Sequence, residues 1–599
     1  MTKQLPHRFQ PGENHAVPER GRRRAPFAAL ILSLCLPMTA PTGHAQTSFT
    51  KITTGPVATD SEQSVGCAWG DYDNDGFIDL FVTRFDNISV NMLYHNERDG
   101  TFTRFIAGAP ANESNVRSAG CIWGDFDNDG FLDLFVANLG TTAINWLYHN
   151  NGNGTFQKMT GAQAGAIASN PAGRSVSAAW GDFDADGNLD LFVANGALAE
   201  NNVDALYRNL GQGRFTNIAV ASGITEALFS TQGTWADVDG DGRLDLFVTH
   251  NAGQGNYIYR NLGGGAFRAI SSGNALNEAL NSVGSAWGDY DNDGHLDLFV
   301  VNSTLDASPY QNVLYRNDGS GVFERITTGD IVNEFSSRFR SCAWADYDND
   351  GHLDLFVTQE GSNNRLYHNN GDGTFLSVTE GAVVTDIAAS TGCSWGDYNN
   401  DGFLDLFVAN GGLSGRQSNF LYRNDRNSNH WIKVRCVGTV SNRSAIGAIV
   451  RARALINGAI RWQMRHISGG DGWLCQNSLD VSIGFGSATN IDLLRIEWPS
   501  GIIQELHDVT VDQTLIVEEP SWIQSSAIVG GGFELTLKGG GRDAFGRHRA
   551  YDIETSADFV GWSTLTNVVV TNADGTATLR DASPGEAIRF YRARRSASE

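Results

Sequence analysis

A chain of 599 residues exceeds the roughly 250 to 300 at which a single hydrophobic core stops growing, so several domains or one large repeat array are expected. Apolar residues make up 41% and charged residues 18%, with 69 glycines against 13 prolines, a composition that fits many tight turns and excludes a disordered or collagen-like chain. The formal charge of −24 excludes nucleic acid and anionic membrane surfaces as partners, since both polyanions would be repelled.

Residues 1–45 have the layout of an export signal. Arg22, Arg23 and Arg24 precede an apolar run from Ala25 to Met38, and Gly43-His44-Ala45 offers small residues where a signal peptidase cuts. The run is too short to span a bilayer. Leu34 before Cys35 argues against a lipoprotein, which needs a small residue there. No later apolar run is long enough for a transmembrane helix. Six basic and two acidic groups leave with this segment, so the mature chain carries about −28 and is expected to be secreted or at the cell surface, the periplasm included.

Next, Ser48-Phe49-Thr50-Lys51-Ile52-Thr53-Thr54-Gly55 matches Val322-Phe323-Glu324-Arg325-Ile326-Thr327-Thr328-Gly329 far downstream. Between and beyond these runs an internal repeat. A Trp followed by an Asp-rich nonapeptide and Leu-Phe-Val begins at Trp69, Trp123, Trp180, Trp235, Trp287, Trp344 and Trp395, at spacings of 51 to 57 residues. A Tyr-His/Arg-Asn block follows each, from Tyr94 to Tyr422, and a glycine turn with Phe follows six of the seven, from Phe102 to Phe375. Each unit thus holds four short apolar runs, rich in Val, Phe, Tyr, Trp and Thr and divided by Gly, Asn and Asp. These read as strands joined by turns, without helical periodicity. Four strands per ~50 residues is the size of a propeller blade. The last unit lacks its Phe strand, and the segment around Phe49 is that strand without a unit. Joining them closes a seven-bladed ring, whereas a solenoid would leave both ends unfinished.

The nonapeptides carry the chemistry. Positions 1, 3, 5 and 9 are Asp71, Asp73, Asp75 and Asp79; Asp125, Asp127, Asp129 and Asp133; Asp182, Asp184, Asp186 and Asp190; Asp237, Asp239, Asp241 and Asp245; Asp289, Asp291, Asp293 and Asp297; Asp346, Asp348, Asp350 and Asp354; and Asp397, Asn399, Asp401 and Asp405. Oxygen ligands at alternate positions, with Gly at position 6 for a sharp turn and a main-chain carbonyl at position 7, are how a short loop wraps Ca²⁺. About seven Ca²⁺ ions are expected. Val at position 12, as in Val82 and Val136, excludes an EF-hand, which needs Glu there; Zn²⁺ would want nitrogen or sulfur.

This array resembles the FG-GAP/VCBS repeats of integrin α-chain propellers and, more closely, the cartilage acidic protein family, which pairs such repeats with an ASPIC/UnbV domain. The resemblance implies an all-β, seven-bladed propeller over residues 46–427, with the N-terminal strand closing blade seven. It also implies calcium loops between strands one and two on one face and a ligand face opposite, where Arg84, Asn138, Asn195, His250, Asn302, Gln359 and Asn410 follow Leu-Phe-Val. Residues 428–519 resemble the ASPIC/UnbV domain through His430-Trp431-Ile432-Lys433-Val434, Ser441-Asn442-Arg443-Ser444 and Trp498-Pro499-Ser500-Gly501, although Gly484-Phe485-Gly486 replaces the family's Gly-Leu-Gly. Residues 520–599 read as a small β-sandwich module anchored by Tyr551, Trp562 and Phe590.

Cys67, Cys121, Cys342 and Cys393 stand two residues before a repeat Trp, where other units have Ala178, Gly233 and Ser285, so a small buried side chain and a free thiol are expected. Cys436 and Cys475 are a possible disulfide. His466, Asp471 and Glu497 have no spacing that demands catalysis, and no catalytic or organic-cofactor site is assigned. The reading is a calcium-stiffened adhesion or ligand-binding protein for an extracellular glycan or protein. The alternative is a polysaccharide lyase or hydrolase on a propeller, which would need a unique asymmetric cluster breaking the repeat.

Overall fold

The computed structural model describes residues 48–520, apart from 87, 89, 107, 109, 111–112, 114–115, 140–143, 170–173, 197–201, 271–279 and 304–309, and beyond 521 the backbone of six strands. The export-signal reading of residues 1–45 and the anchor Trp562 lie outside the described residues. Among the described residues no helix is long and apolar enough to cross a membrane.

Each repeat folds as four antiparallel strands, as the alternation of apolar runs and turns requires. In the first they are Ser64–Gly70, Asp79–Arg84, Met92–Asn96 and Phe102–Phe105. The same order recurs with inner strands beginning at Arg117, Ser175, Ser230, Ser282, Phe339 and Ile387. Inner strands of successive arrays pack side by side in a cycle that ends with Ile387–Gly396 against Ser64–Gly70. Apart from Arg117 and Ile387 at their starts, these strands are buried along their length, in sequences such as SVGCAWG, which is why small residues and one Trp recur in them. A break of register lies early in each, between Ser64 and Cys67 in the first and at the matching place in the others, so a β-bulge is part of the repeat.

The last array takes its fourth strand from Phe49–Ile52, which pairs antiparallel with Phe420–Asn424. Phe49 lies opposite Asn424, the register Phe102 has opposite Asn96. Ring packing tells the same story. Every repeat Trp touches a fourth-strand Phe at ring distances of 6.0 to 6.2 Å, from Trp69 on Phe102 to Trp344 on Phe375, and Trp395 finds Phe49 at 6.1 Å. Each such contact packs tilted rings in a buried seam, the geometry aromatic pairs favour.

One-turn helices were not foreseen. Pro56–Thr59, Asp330–Asn333 and Ala382–Thr385 each follow a glycine at positive φ, at Gly55, Gly329 and Gly381, after a fourth strand. A single turn has no period for a sequence pattern to show.

Residues 430–518 form two sheets. His430–Val437 lies between Val481–Gly486, antiparallel, and Gln513–Glu518, parallel. Ala459–His466, Ile449–Ile456, Asn490–Glu497 and Ile503–Thr510 form the other. One hydrophobic cluster runs from Trp180 and Leu189 of the ring into Ile446, Ala448 and Ile467, so this unit and the ring share a core. The segment after His466 then enters the axis of the ring. Gly469 bridges to Trp180, Gly472 N donates to Ser285 O, Trp473 N to Ser341 Oγ, and Gln476 holds both the N–H and the carbonyl of Trp123. Cys475–Gln476 pairs parallel with Cys67–Ala68, and Trp395 N donates to Asn477 Oδ1. Six of the seven inner strands thus touch one short segment, which fills the channel. Glycines make room for it: a Cβ at Gly66 would lie 2.6 Å from Leu474 O, and one at Gly392 would lie 2.3 Å from Cys475 Sγ.

From residue 522 the backbone forms two three-stranded sheets, Trp522–Val529, Gly532–Lys538 and Thr576–Asp581 in one, and Ser563–Val569, Ala550–Ser556 and Phe590–Arg595 in the other. That is the strand content a small sandwich needs.

Candidate metal centres

The nonapeptide links the inner strand to the second strand in every array. Its shape rests on two residues in left-handed backbone. Position 6 is glycine at φ 83° to 98°, and position 4 has φ 54° to 70°, filled by Asn74, Asn128, Asn292, Asn349 and Asn400, by Ala185 and by Gly240. Asn tolerates this region better than most residues, and glycine pays nothing for it. The Asn side chains also bind the rim together. Asn74 donates to Gly130 O, Asn128 to Gly187 O, Asn292 to Gly351 O, Asn349 to Gly402 O, and Asn400 to Gly76 O across the closure.

Three of the four acidic positions are held by backbone N–H groups. At position 1, Asp71 accepts from the N–H groups of Asp75 and Gly76, both at 3.0 Å, and the other six loops repeat this. At position 5, Asp75 Oδ1 accepts from Phe77 N at 2.8 Å. At position 9, Asp79 accepts from Tyr72 N and from Asn96 N. Position 3 differs among loops: Asp73 Oδ1, Asp127 Oδ1, Asp184 Oδ1 and Asp239 Oδ1 are buried and lack a hydrogen-bond partner, whereas Asp291 Oδ1 and Asn399 Oδ1 accept from the position-5 N–H at 3.2 Å. Carboxylate oxygens of Asp71, Asp73 and Asp79, and those of Asp125, Asp127 and Asp133, lie within 4.8 Å of one another. Burial pushes the Asp79, Asp182 and Asp289 carboxyls up to about 7 and Asp297 up to about 9, and carboxylates of the same loop push the same way. Crowded, desolvated acids with an orphaned oxygen aimed among them fit a hard divalent cation, whose charge would relieve both strains.

The Tyr-His/Arg-Asn block, found in the sequence only as a strand, supplies two further working residues. Its Asn gives its backbone N–H to the position-9 carboxylate in all seven arrays at 2.7 to 2.8 Å. The same side chain donates to the position-2 carbonyl of the preceding array, Asn150 to Tyr72 O and, across the closure, Asn96 to Tyr398 O. The residue before it faces the loop. His95, His149 and His368 put Nδ1 3.2 to 3.5 Å from loop carboxylates, and Asp79 holds His95 up at about 9. Arg208, Arg260 and Arg316 pair with the loops of the third, fourth and fifth arrays. The seventh is an exception, since Arg423 reaches toward Asp425. The invariant pairing of this block with the nonapeptide, one array after another, was the available sequence signal.

The unit at 430–518 lies on the loop side. Lys433 Nζ is 2.8 Å from Asp397 Oδ2, Arg435 is 2.8 Å from Asp71 Oδ2, and Asp346 Oδ2 accepts from Gly484 N and Arg465. Ser444 Oγ accepts from Asp125 N, and Arg443 N donates to Asn128. Position-1 acids of the first, sixth and seventh loops therefore carry a second-unit cation.

Two expectations are corrected. Arg84, Asn138, Asn195, His250, Asn302, Gln359 and Asn410 are all buried, not presented at an open face. Each gives its backbone N–H to an Asn or Asp at the start of the third strand, as Asn138 N does to Asn145 and Asn195 N to Asp204, and the Asn side chains turn inward to Ser hydroxyls such as Ser118 and Ser175. The position needs a polar group for packing between strands. The Cys436 and Cys475 pair is also replaced: Cys475 sits in the channel with its Sγ 3.4 Å from Cys67 Sγ, while Cys436 faces Val517 in a different sheet. Cys121, Cys342 and Cys393 are buried and unbonded, as their place before the repeat Trp requires of a small side chain. His466, whose ring burial drives down to about 4, has Nε2 unpartnered and lines one cavity with Asp471, whereas Glu497 is bound by Arg451 and Arg495 and is not among that cavity's lining.

A closed ring of four-stranded arrays, each with an acidic loop between its first and second strands, defines a repeat β-propeller with candidate cation sites. The FG-GAP-like repeat profile matches residues 71–136, 125–193, 182–248, 237–300, 303–357 and 346–408, and the chain belongs to that family. The ASPIC and UnbV profile matches residues 438–523. The chain is 23% identical over 528 residues to cartilage acidic protein 1 of Homo sapiens, covering 80% of this chain and 76% of that protein. It is 24% identical over 523 residues to the Xenopus tropicalis protein of the same name, covering 79% and 77%. Among solved structures it is similar to Saccharomyces cerevisiae Sqt1, with 10% identity, 64% of this chain and 99% of that chain covered, and a TM-score of 0.39.

Proposed function

We propose that this protein is an exported, calcium-stabilised propeller that binds an extracellular glycan or protein through the face opposite its acidic loops. The orphaned position-3 oxygens of Asp73, Asp127, Asp184 and Asp239, each among the carboxylates of its loop, carry the calcium part. The ion would be held by positions 1, 3, 5 and 9 of each loop and would supply charge neutralisation, coupling strands one and two of its array. With Asn399 at position 3, the seventh loop would hold it by three carboxylates and an amide.

The location of the second unit supports the choice of face. The unit at 430–518 sits over the acidic loops and its segment from Gly469 to Asn477 plugs the axis, so a ligand is left the opposite side of the ring. Similarity to cartilage acidic protein 1 supports an extracellular place. In this reading residues 46–427 are the ring, 428–519 its lid, and 520–599 an attachment module. The test is a glycan and matrix-protein binding screen with the full chain, run with calcium and with chelator, beside a metal count by mass spectrometry. Calcium-dependent capture of a defined ligand is expected; absence of bound calcium at millimolar supply would refute the metal reading, and turnover of a polysaccharide would replace binding by catalysis.

A further inference from the structure

Cys67 lies at the fourth position of the inner strand Ser64–Gly70, and Cys475 begins the two-residue strand that enters the ring axis. The two are direct partners in a parallel pairing, and their Sγ atoms are 3.4 Å apart. Paired strands lie about 4.8 Å apart, inside the roughly 4.4 to 6.8 Å Cα separation that a disulfide spans without moving the backbone. The pocket is built around these sulfurs. The glycine at 392 leaves the space that Cys475 Sγ occupies, and Ser394 Oγ donates to Cys67 Sγ at 3.3 Å. Cys121, at the equivalent place in the second array, points its thiol at Phe81 O at 3.9 Å.

We propose that Cys67 and Cys475 form a disulfide that fastens the axial segment, and with it the whole second unit, to the first blade. The oxidant is the disulfide of an oxidised dithiol protein. One cysteine thiolate attacks a sulfur of that donor, forming a mixed disulfide and releasing one donor thiolate. The second cysteine, as thiolate, attacks its partner's sulfur in the mixed disulfide, forming the Cys67–Cys475 bond and expelling the other donor thiolate. Two electrons and two protons pass to the donor, which departs as a dithiol. Both thiols are sealed in the finished fold, where burial holds the Cys67 thiol far above its usual range. Exchange therefore takes place as the segment enters the channel, and the same burial afterwards shields the bond from reductants. The link joins residues 408 positions apart, so it holds the two ends of the ring-and-lid body together.

The experiment uses the full chain exported to an oxidising compartment, denatured without reductant, alkylated and mapped by peptide mass spectrometry. Of the six cysteines from Cys67 to Cys475, four are expected to be alkylated, with the Cys67 and Cys475 peptides joined until reductant is added. In C67S all five remaining thiols are expected to be alkylated, and the fall in melting temperature that reductant causes in the parent chain should vanish. Six alkylated thiols in the parent, or a bond from Cys475 to Cys436 or Cys121, overturns the proposal. The parent thiol map and C67S decide the matter even where C475S fails to fold.

Discussion

Asp204 stands where the other arrays carry Asn91, Asn145, Asn256, Asn312, Asn364 and Asn419. It is buried, accepts Asn195 N and Ser230 Oγ, each at 2.8 Å, and burial pushes its carboxyl up to about 8. Replacing it by Asn removes the titration while keeping the acceptor for Asn195 N; the new amide would donate to Ser230 Oγ as Asn145 does to Ser175 Oγ. The folded value lies above the unfolded value of about 3.9, so between roughly pH 4 and pH 8 the unfolded chain has released a proton that the folded chain retains. Stability due to this group is therefore present below about pH 4 and declines by about 1.4 kcal/mol per pH unit as pH rises to about 8. At pH 7 the acid costs about 4 kcal/mol relative to a neutral group, as an upper bound because the native structure relaxes around a charge. The assay is a series of thermal melts of D204N and the parent at fixed calcium from pH 4.5 to 8. The loop carboxylates titrate in both proteins and cancel in the difference. D204N should melt within a degree or two of the parent at pH 4.5 and several degrees above it at pH 7.5. A gap that does not grow with pH, or a variant less stable at pH 7.5, refutes the argument.

The remaining predictions concern closure and metal. F49A empties the Trp395 and Tyr347 seam and should cost about 3 to 5 kcal/mol in denaturant unfolding, as should deletion of residues 46–54; a loss under 1 kcal/mol would mean the strand does not close the ring. D75A removes one carboxylate from the first loop, so bound calcium should drop by one ion with the other loops retained, read by metal counting on the full chain. In the seventh loop, N399D adds a fourth carboxylate and should raise calcium affinity there, read by hydrogen exchange of Asp397 to Asp405 across a calcium titration; exchange unchanged from the parent would show that carboxylate count does not set the order of binding.

Repetition made the ring legible. Seven copies of one apolar and turn pattern announce four-stranded units, and the missing Phe after Tyr422, matched by the spare one at Phe49, announces where the circle joins, because an open blade edge is intolerable. The carboxylates of the loops were equally plain, since alternate oxygens about a glycine is local chemistry written in nine residues. What stayed hidden was whatever depends on residues distant in the chain. The Asn of the third-strand block ties its own position-9 carboxylate to the neighbouring array, a role invisible until strands 78 residues apart are adjacent, as with Asn150 and Tyr72. Arg84, Asn138 and their equivalents looked like loop residues because polarity usually marks solvent; burial inside a hydrogen-bonded network reverses that inference. The seating of Lys433, Arg435 and Arg465 on loop acids, and the meeting of Cys475 with Cys67, belong to tertiary structure alone. Local pattern reports what a strand or loop needs, whereas the docking of one unit into the axis of another is decided by shape and charge assembled from the whole chain.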